Sequence, residues 1–183
     1  MSAGVSNNDG SVTAREDAAR QAIIDACREM NSSGINQGTS GNISVRCGEG
    51  LLITPSGMDY DVMRPEHIVA MQMDGSWQGS EGCRPSSEWR IHRDILRAKP
   101  EVGAVVHAHP TYCTILAIMG RAIPAVHYMV AAAGGDDIRC AFYATFGSQA
   151  LSDAALQALE GRHGCLLAHH GMVATGPGLA RAM

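Results

Sequence analysis

Two histidines two residues apart, His107 and His109, stand at the end of the apolar run Gly103-Ala104-Val105-Val106. The β-branched character of that run predicts a buried strand. On a strand, residues i and i+2 share a face, so both imidazoles are presented together. Pro110 then ends the strand and suits the first turn of a following helix. Two neutral imidazoles on one face are half of a divalent-metal site. A half-buried histidine pair would have the same spacing, so the case depends on further donors. The chain offers one of His169 and His170, and a carboxylate, Glu88. Three histidines and a carboxylate make a zinc site. If the carboxylate can be displaced, the open position allows Lewis-acid chemistry on a carbonyl or enediolate oxygen.

Other stretches suit an anion. The small polar turns Gly38-Thr39-Ser40-Gly41-Asn42 and Pro55-Ser56-Gly57 offer backbone N–H groups and hydroxyls. A helix opening at Pro85-Ser86-Ser87-Glu88 adds unpaired N–H groups and a positive dipole end. Hairpin turns, helix capping and dipole stabilisation by Glu88 explain the same residues without a ligand. With the histidines, they suggest a phosphorylated substrate. Lys99 is the only lysine, beside Pro100 at a helix end, which is a poor place for a Schiff base. A metal is the better electron sink.

The elements that must position these groups alternate between strand and helix. Residues 1–12 are expected to be a disordered tail, and Thr13 with Glu16 forms a capping box for a helix to about residue 30. Strands are expected over 43–46, 51–54 and 68–73, then the helix from 85 to 98 with Ser86 or Ser87 as its cap. The histidine strand leads into a helix over 111–119. Residues 125–129 read as a strand or extended segment, and Ala131-Ala132-Ala133-Gly134-Gly135 permits close backbone approach at a subunit contact. A strand over 138–143, a helix over 147–160 and strands over 164–168 and 172–175 complete an α/β domain spanning 13–183.

The chain has 183 residues, a formal charge of −4 and a pI near 6.0, giving no reason to expect a nucleic-acid or membrane partner. No apolar run has transmembrane length, and the N-terminus does not read as a secretory signal. The six cysteines form no CxxC and suit reduced thiols in a cytoplasm. There is no GxGxxG, P-loop or GxSxG.

The motifs Gln37-Gly38-Thr39-Ser40-Gly41-Asn42-Ile43-Ser44, Ile53-Thr54-Pro55-Ser56-Gly57, Pro85-Ser86-Ser87-Glu88-Trp89, Val106-His107-Ala108-His109 and His169-His170-Gly171 together resemble the class II aldolase/adducin family. Ile123-Pro124-Ala125-Val126-His127-Tyr128-Met129 and Ala131-Ala132-Ala133-Gly134-Gly135 resemble its L-fuculose-1-phosphate aldolase branch. The resemblance runs from about residue 15 to the end. It implies a three-layer α/β/α fold on a mixed, largely antiparallel sheet. It also implies zinc-dependent cleavage of a ketose 1-phosphate, foremost L-fuculose 1-phosphate, to dihydroxyacetone phosphate and an aldehyde. Carried over by position, His107, His109 and His170 bind one zinc per subunit, with Glu88 as a resting-state ligand and later an acid/base. Thr39, Gly41, Asn42, Ser56, Gly57, Ser86 and Ser87 hold the phosphate, and Tyr128 is the proton donor. A homotetramer with sites at subunit interfaces is implied, as is a C-terminal helical region beyond Met183 that this chain is expected to lack. Alternatives are a 5-deoxyribulose or 5-methylthioribulose 1-phosphate aldolase, a pentulose-phosphate 4-epimerase that would carry Asp where Glu88 stands, and an adducin-like interaction module. His127 and His169 are expected to be structural, and His67, His92 and His163 to be surface or packing residues.

Overall fold

The computed structural model describes the backbone from Asp9 onward. The expectation of a disordered tail therefore lies, for residues 1–8, outside the described residues. Helix α1 spans Asp9–Ser32, so Thr13 is inside the helix and does not cap its start. Strands β1 (Asn42–Cys47), β2 (Gly50–Ile53), β3 (Val69–Gln72) and β4 (Trp77–Gln78) follow as a meander. Helix α2 (Trp89–Ala98) leads to β5 (Ala104–Ala108) and α3 (Thr111–Ile118). The remainder is β6 (Cys140–Ala141), α4 (Gln149–Ala158), β7 (Gly164–Leu167), β8 (Gly171–Gly176) and α5 (Leu179–Ala182).

The eight strands form one sheet in the order β4-β3-β2-β1-β5-β8-β7-β6. Every neighbouring pair is antiparallel except β6 with β7. Strand alternation divides the interior into two cores. Leu51, Ile53, Val105 and Val173 face α2 and α4, packing on Ile91, Ile95, Leu151 and Ala155. Ile43, Leu52, Ala104 and Val106 face α1, packing on Ile23, Cys27 and Met30. The result is the expected three-layer α/β/α arrangement.

Two local expectations need correction. Residues 125–129 do not form a strand. A 3-10 helix covers Tyr128–Ala133, and the neighbouring pairing is a single bridge between Ile123 and Ile138. Small residues with little to bury on either face favour the tight turn over a ladder. The other correction concerns α2, which begins at Trp89 with Glu88 as its N-cap residue. Ser86 is tied by its N–H to the Thr54 carbonyl and Pro85 bridges Pro55, so the chain runs alongside the end of β2 before a turn at Ser87 and Glu88 opens the helix. The Ser86 hydroxyl instead accepts from the Glu88 N–H at 3.3 Å.

Candidate metal and phosphate site

Parity along β5 decides where the first histidine points. Val105 belongs to the α2/α4 core, so His107, two residues on, shares that face and is 0 % exposed. Opposite it across the β1–β5 ladder is Asn42, with Ser44 opposite Val105. Glu88 sits where α2 starts above this face, and its carboxylate reaches down to His107. His109 follows the last residue of β5. His170 comes from the three-residue loop between Leu167 and Gly171 of the β7–β8 hairpin. In that loop His169 adopts φ 57°, a left-handed conformation uncommon outside glycine, and its N–H donates to the Ala117 carbonyl. A side chain at Gly171 would meet the Ala108 carbonyl at 2.6 Å and the His109 ring at 2.7 Å, so only glycine lets the hairpin approach the ligand strand.

His107, His109 and His170 each offer a ring nitrogen within 4.8 Å of the others. The His107 Nδ1–H donates to the Met172 carbonyl at 2.8 Å, which leaves its Nε2 lone pair facing the nest. Glu88, 5 % exposed, places Oε2 3.0 Å from His107 Nε2 and Oε1 3.3 Å from His170 Nε2. Even so, His107 Nε2, His109 Nδ1 and Glu88 Oε1 are buried without a well-aligned hydrogen-bond partner. Unsatisfied buried donor atoms of nitrogen and carboxylate type, converging on one point, fit a divalent cation.

Electrostatics favour the ligating forms. Burial pushes the Glu88 carboxyl up, but contact with His107, the nearby imidazoles and Asn42 outweigh it and hold it at about 2. Burial, reinforced by His107 and His170, lowers His109 to about 4 against the pull of Glu88. His170 is lowered too, first by burial and then by His107. At neutral pH these last two rings are uncharged, as metal coordination needs.

The cleft beside the nest has a volume of about 310 Å³. All seven expected phosphate residues, Thr39, Gly41, Asn42, Ser56, Gly57, Ser86 and Ser87, line it together with Glu88 and His170. Gly41 must be glycine, since a Cβ there would lie 2.8 Å from the His107 carbonyl. Tyr60 donates its hydroxyl to the Gly41 carbonyl and props the loop from beneath. Tyr128 is placed elsewhere. It is 80 % exposed on the 3-10 helix, stacked on His127 at 4.4 Å between centroids, and does not line this cleft.

Three residues escaped the sequence reading. Asn36 is buried and receives the His109 N–H on its amide at 3.3 Å, joining the Gly38-to-Asn42 loop to a ligand. His92 is 0 % exposed and bonds to Ser44 and Asn42, so it is neither a surface nor a simple packing residue. Burial, with His107 adding, pushes its pKa down to about 3. The signal for His92 and Ser44 was present in spacing: Glu88 and His92 are four apart on one helix face, and Asn42 and Ser44 two apart on one strand face.

Comparison with known proteins agrees with this geometry. Residues 21–183 match the family described as Class II Aldolase and Adducin N-terminal domain. The chain is 57% identical over 166 residues to a 5-methylthioribulose-1-phosphate/5-deoxyribulose-1-phosphate aldolase of Rhodospirillum rubrum, covering 91% of this chain and 74% of that protein. It is 49% identical over 169 residues to the L-fuculose phosphate aldolase of Escherichia coli K12, covering 92% of this chain and 77% of that one. A solved L-fuculose 1-phosphate aldolase superposes with a TM-score of 0.87 at 38% identity, over 90% of this chain and 78% of the other. A match along nearly the whole domain, in sequence and in fold, means that the chain belongs to the class II aldolase and adducin N-terminal domain family, as an aldehyde-lyase of its aldolase kind.

Proposed function

We propose that the protein binds one zinc ion through His107, His109 and His170 and cleaves a ketose 1-phosphate to dihydroxyacetone phosphate and an aldehyde. The observation that carries this reading is a cleft lined by Glu88, by His170 of the histidine cluster and by seven phosphate-compatible residues. The bound cation supplies Lewis acidity toward the carbonyl and hydroxyl oxygens of the ketose. The backbone N–H groups of the Gly41 and Gly57 turns and the hydroxyls of Thr39, Ser56, Ser86 and Ser87 hold the phosphate, with the Asn42 amide at the inner end. That fixes C2 to C4 of the sugar against the nest. The C4 hydroxyl proton passes by way of the Tyr128 hydroxyl to water, the C3–C4 bond breaks, and the electron pair stays on the ketone-derived fragment. Glu88, displaced from its resting contacts and protonated from solvent water, delivers that proton to C3, so one proton leaves at C4 and one enters at C3. In the condensation direction Tyr128 is the proton donor.

Tyr128 is remote from the cleft within one protomer, so it serves the site of a neighbouring copy in a homotetramer. Val126 and Met129 beside it in sequence, and Tyr112 and Ile118 on α3, are exposed apolar side chains of the kind subunits bury. The six free thiols and the absence, among the described residues, of any helix able to cross a membrane accord with a cytoplasmic enzyme.

The first substrate is L-fuculose 1-phosphate. The second reading, 5-methylthioribulose or 5-deoxyribulose 1-phosphate, is favoured by the higher identity of the Rhodospirillum rubrum relative. The test is elemental analysis for zinc together with dihydroxyacetone phosphate release from each of the three, with and without chelator. Chelator-sensitive release is expected, and the highest kcat/KM names the substrate. Zinc-free protein with chelator-resistant cleavage would overturn the metal role, and zinc-loaded protein that cleaves none of the three would overturn the substrate class.

A further inference from the structure

Behind Glu88 runs a closed line of hydrogen bonds that no phosphate or metal role accounts for. Asn42 Nδ2–H donates to Glu88 Oε2 at 3.0 Å. Asn42 Oδ1 and His92 Nε2 are 2.5 Å apart, and His92 Nδ1 and Ser44 Oγ are 2.8 Å apart. All four residues are buried. Their roles follow from one another without choice. A carboxylate only accepts, so the Asn42 amide must turn its nitrogen to Glu88 and its oxygen to His92. An amide oxygen only accepts, so His92 must carry its proton on Nε2. The bare Nδ1 must then accept the Ser44 O–H. The chain points one way, from a hydroxyl in mid-strand to the carboxylate.

We propose that His92 is a positioning residue for Glu88, acting through Asn42, and that Ser44 sets the His92 tautomer on which this depends. The inference rests on the reading of Glu88 as ligand and acid/base. With Oε2 pinned by Asn42, Glu88 keeps Oε1 aimed at His170 and the nest. The Asn42 amide has one N–H left for substrate. Without the His92 proton the amide has no reason to keep its nitrogen on Glu88. A reversed amide would set oxygen against oxygen and push the carboxylate away.

The test compares His92→Gln with His92→Asn in the zinc-loaded enzyme. A glutamine nitrogen reaches the place of Nε2 and can still donate to Asn42. The shorter asparagine reaches only the Nδ1 place. His92→Asn is expected to lower kcat about 10- to 100-fold, the usual effect of losing a partner behind a metal site, with KM within about twofold. His92→Gln is expected to restore most of kcat. Ser44→Ala, which frees the ring to take the other tautomer, should lower kcat in the same direction by less. Equal losses in Gln and Asn variants with matching falls in thermal midpoint would reduce His92 to a structural role. Unchanged kcat in both His92→Asn and Ser44→Ala would overturn the proposal outright. Glu88→Gln, measured alongside, separates the two levels. If it turns over normally, the reading of Glu88 is wrong; if it is dead while His92→Asn is normal, only the positioning chain is wrong.

Discussion

Glu88 and Tyr128 are the two residues proposed to move protons, and they live in opposite surroundings. Glu88 is enclosed between strand and helix, with one oxygen tied to Asn42 and the other facing His170. Tyr128 stands on a 3-10 helix in solvent, stacked on His127. The nest is complete within one chain, because β5, the β7–β8 hairpin and the start of α2 deliver every group. In the proposed assembly the tyrosine surface is completed by a neighbouring copy. Under the proposed mechanism the contrast separates two kinds of precision: a ligand set fixed by the fold, and a proton donor fixed by assembly.

Breaking the nest should have the largest effect. His107→Ala removes a buried ligand, and the several kcal/mol of Lewis-acid stabilisation lost with the cation corresponds to at least about 10³-fold in kcat/KM. Metal analysis and turnover should fall together, and a zinc-free variant that still cleaves would dissolve the contrast. On the other side, Tyr128→Phe should cost about 10²-fold in kcat, the lower range for general acid–base groups. Its zinc content and thermal midpoint should match the parent, since an exposed hydroxyl holds nothing in the fold. A fall in zinc content would show that the two regions are one.

Acid should then act on the nest and on the buried histidine behind it. His92 and His109 have folded pKa values near 3 and 4, below the ordinary value of 6.5. The unfolded chain therefore binds more protons below pH 6.5, and stability must fall as pH drops from 6.5 toward those values. For His92 alone the slope is about 1.4 kcal/mol per pH unit. Glu88, held at about 2, adds to the loss only below its ordinary value of 4.5. A thermal midpoint flat between pH 7 and 5 would contradict this burial. The mildest change is Ser56→Ala, at the exposed rim of the cleft. Losing one hydrogen bond to a charged phosphate should raise KM about five- to tenfold and leave kcat nearly unchanged.

Much of the nest was legible because it obeys local rules. His107 and His109 follow strand parity, whereas the choice of His170 over His169 came only from the family resemblance. The fold class followed from alternating patterns whose apolar faces the two cores confirm. Other features were not local. Thr13 is inside α1 because the helix extends N-terminal to its apparent capping box. Ser86 does not cap α2 conventionally because its backbone is engaged by Thr54, a partner thirty-two residues away in sequence. His92 looked like an ordinary helix-face histidine, since its meaning depends on which strand lies beneath it. The 3-10 turn at Tyr128 replaced an expected strand because no neighbouring strand offers that segment a ladder.

Strand β5 and the residue directly after it carry two of the three imidazoles, and β5 lies between β1, made early in the chain, and β8, made late. During synthesis the hairpins of β1 to β4 can form as they emerge, and β5 can add to β1. The other edge of β5 then stays open until residues 171–176 arrive, with His107 Nδ1 lacking its Met172 carbonyl and His170 not yet in place. Insertion of β8 between β5 and β7 closes that edge and completes the ligand set in one event. Under the proposed metal role, capture of the cation thus reports on the closing of that edge, and a nascent chain cannot hold the metal tightly before β8 is in place.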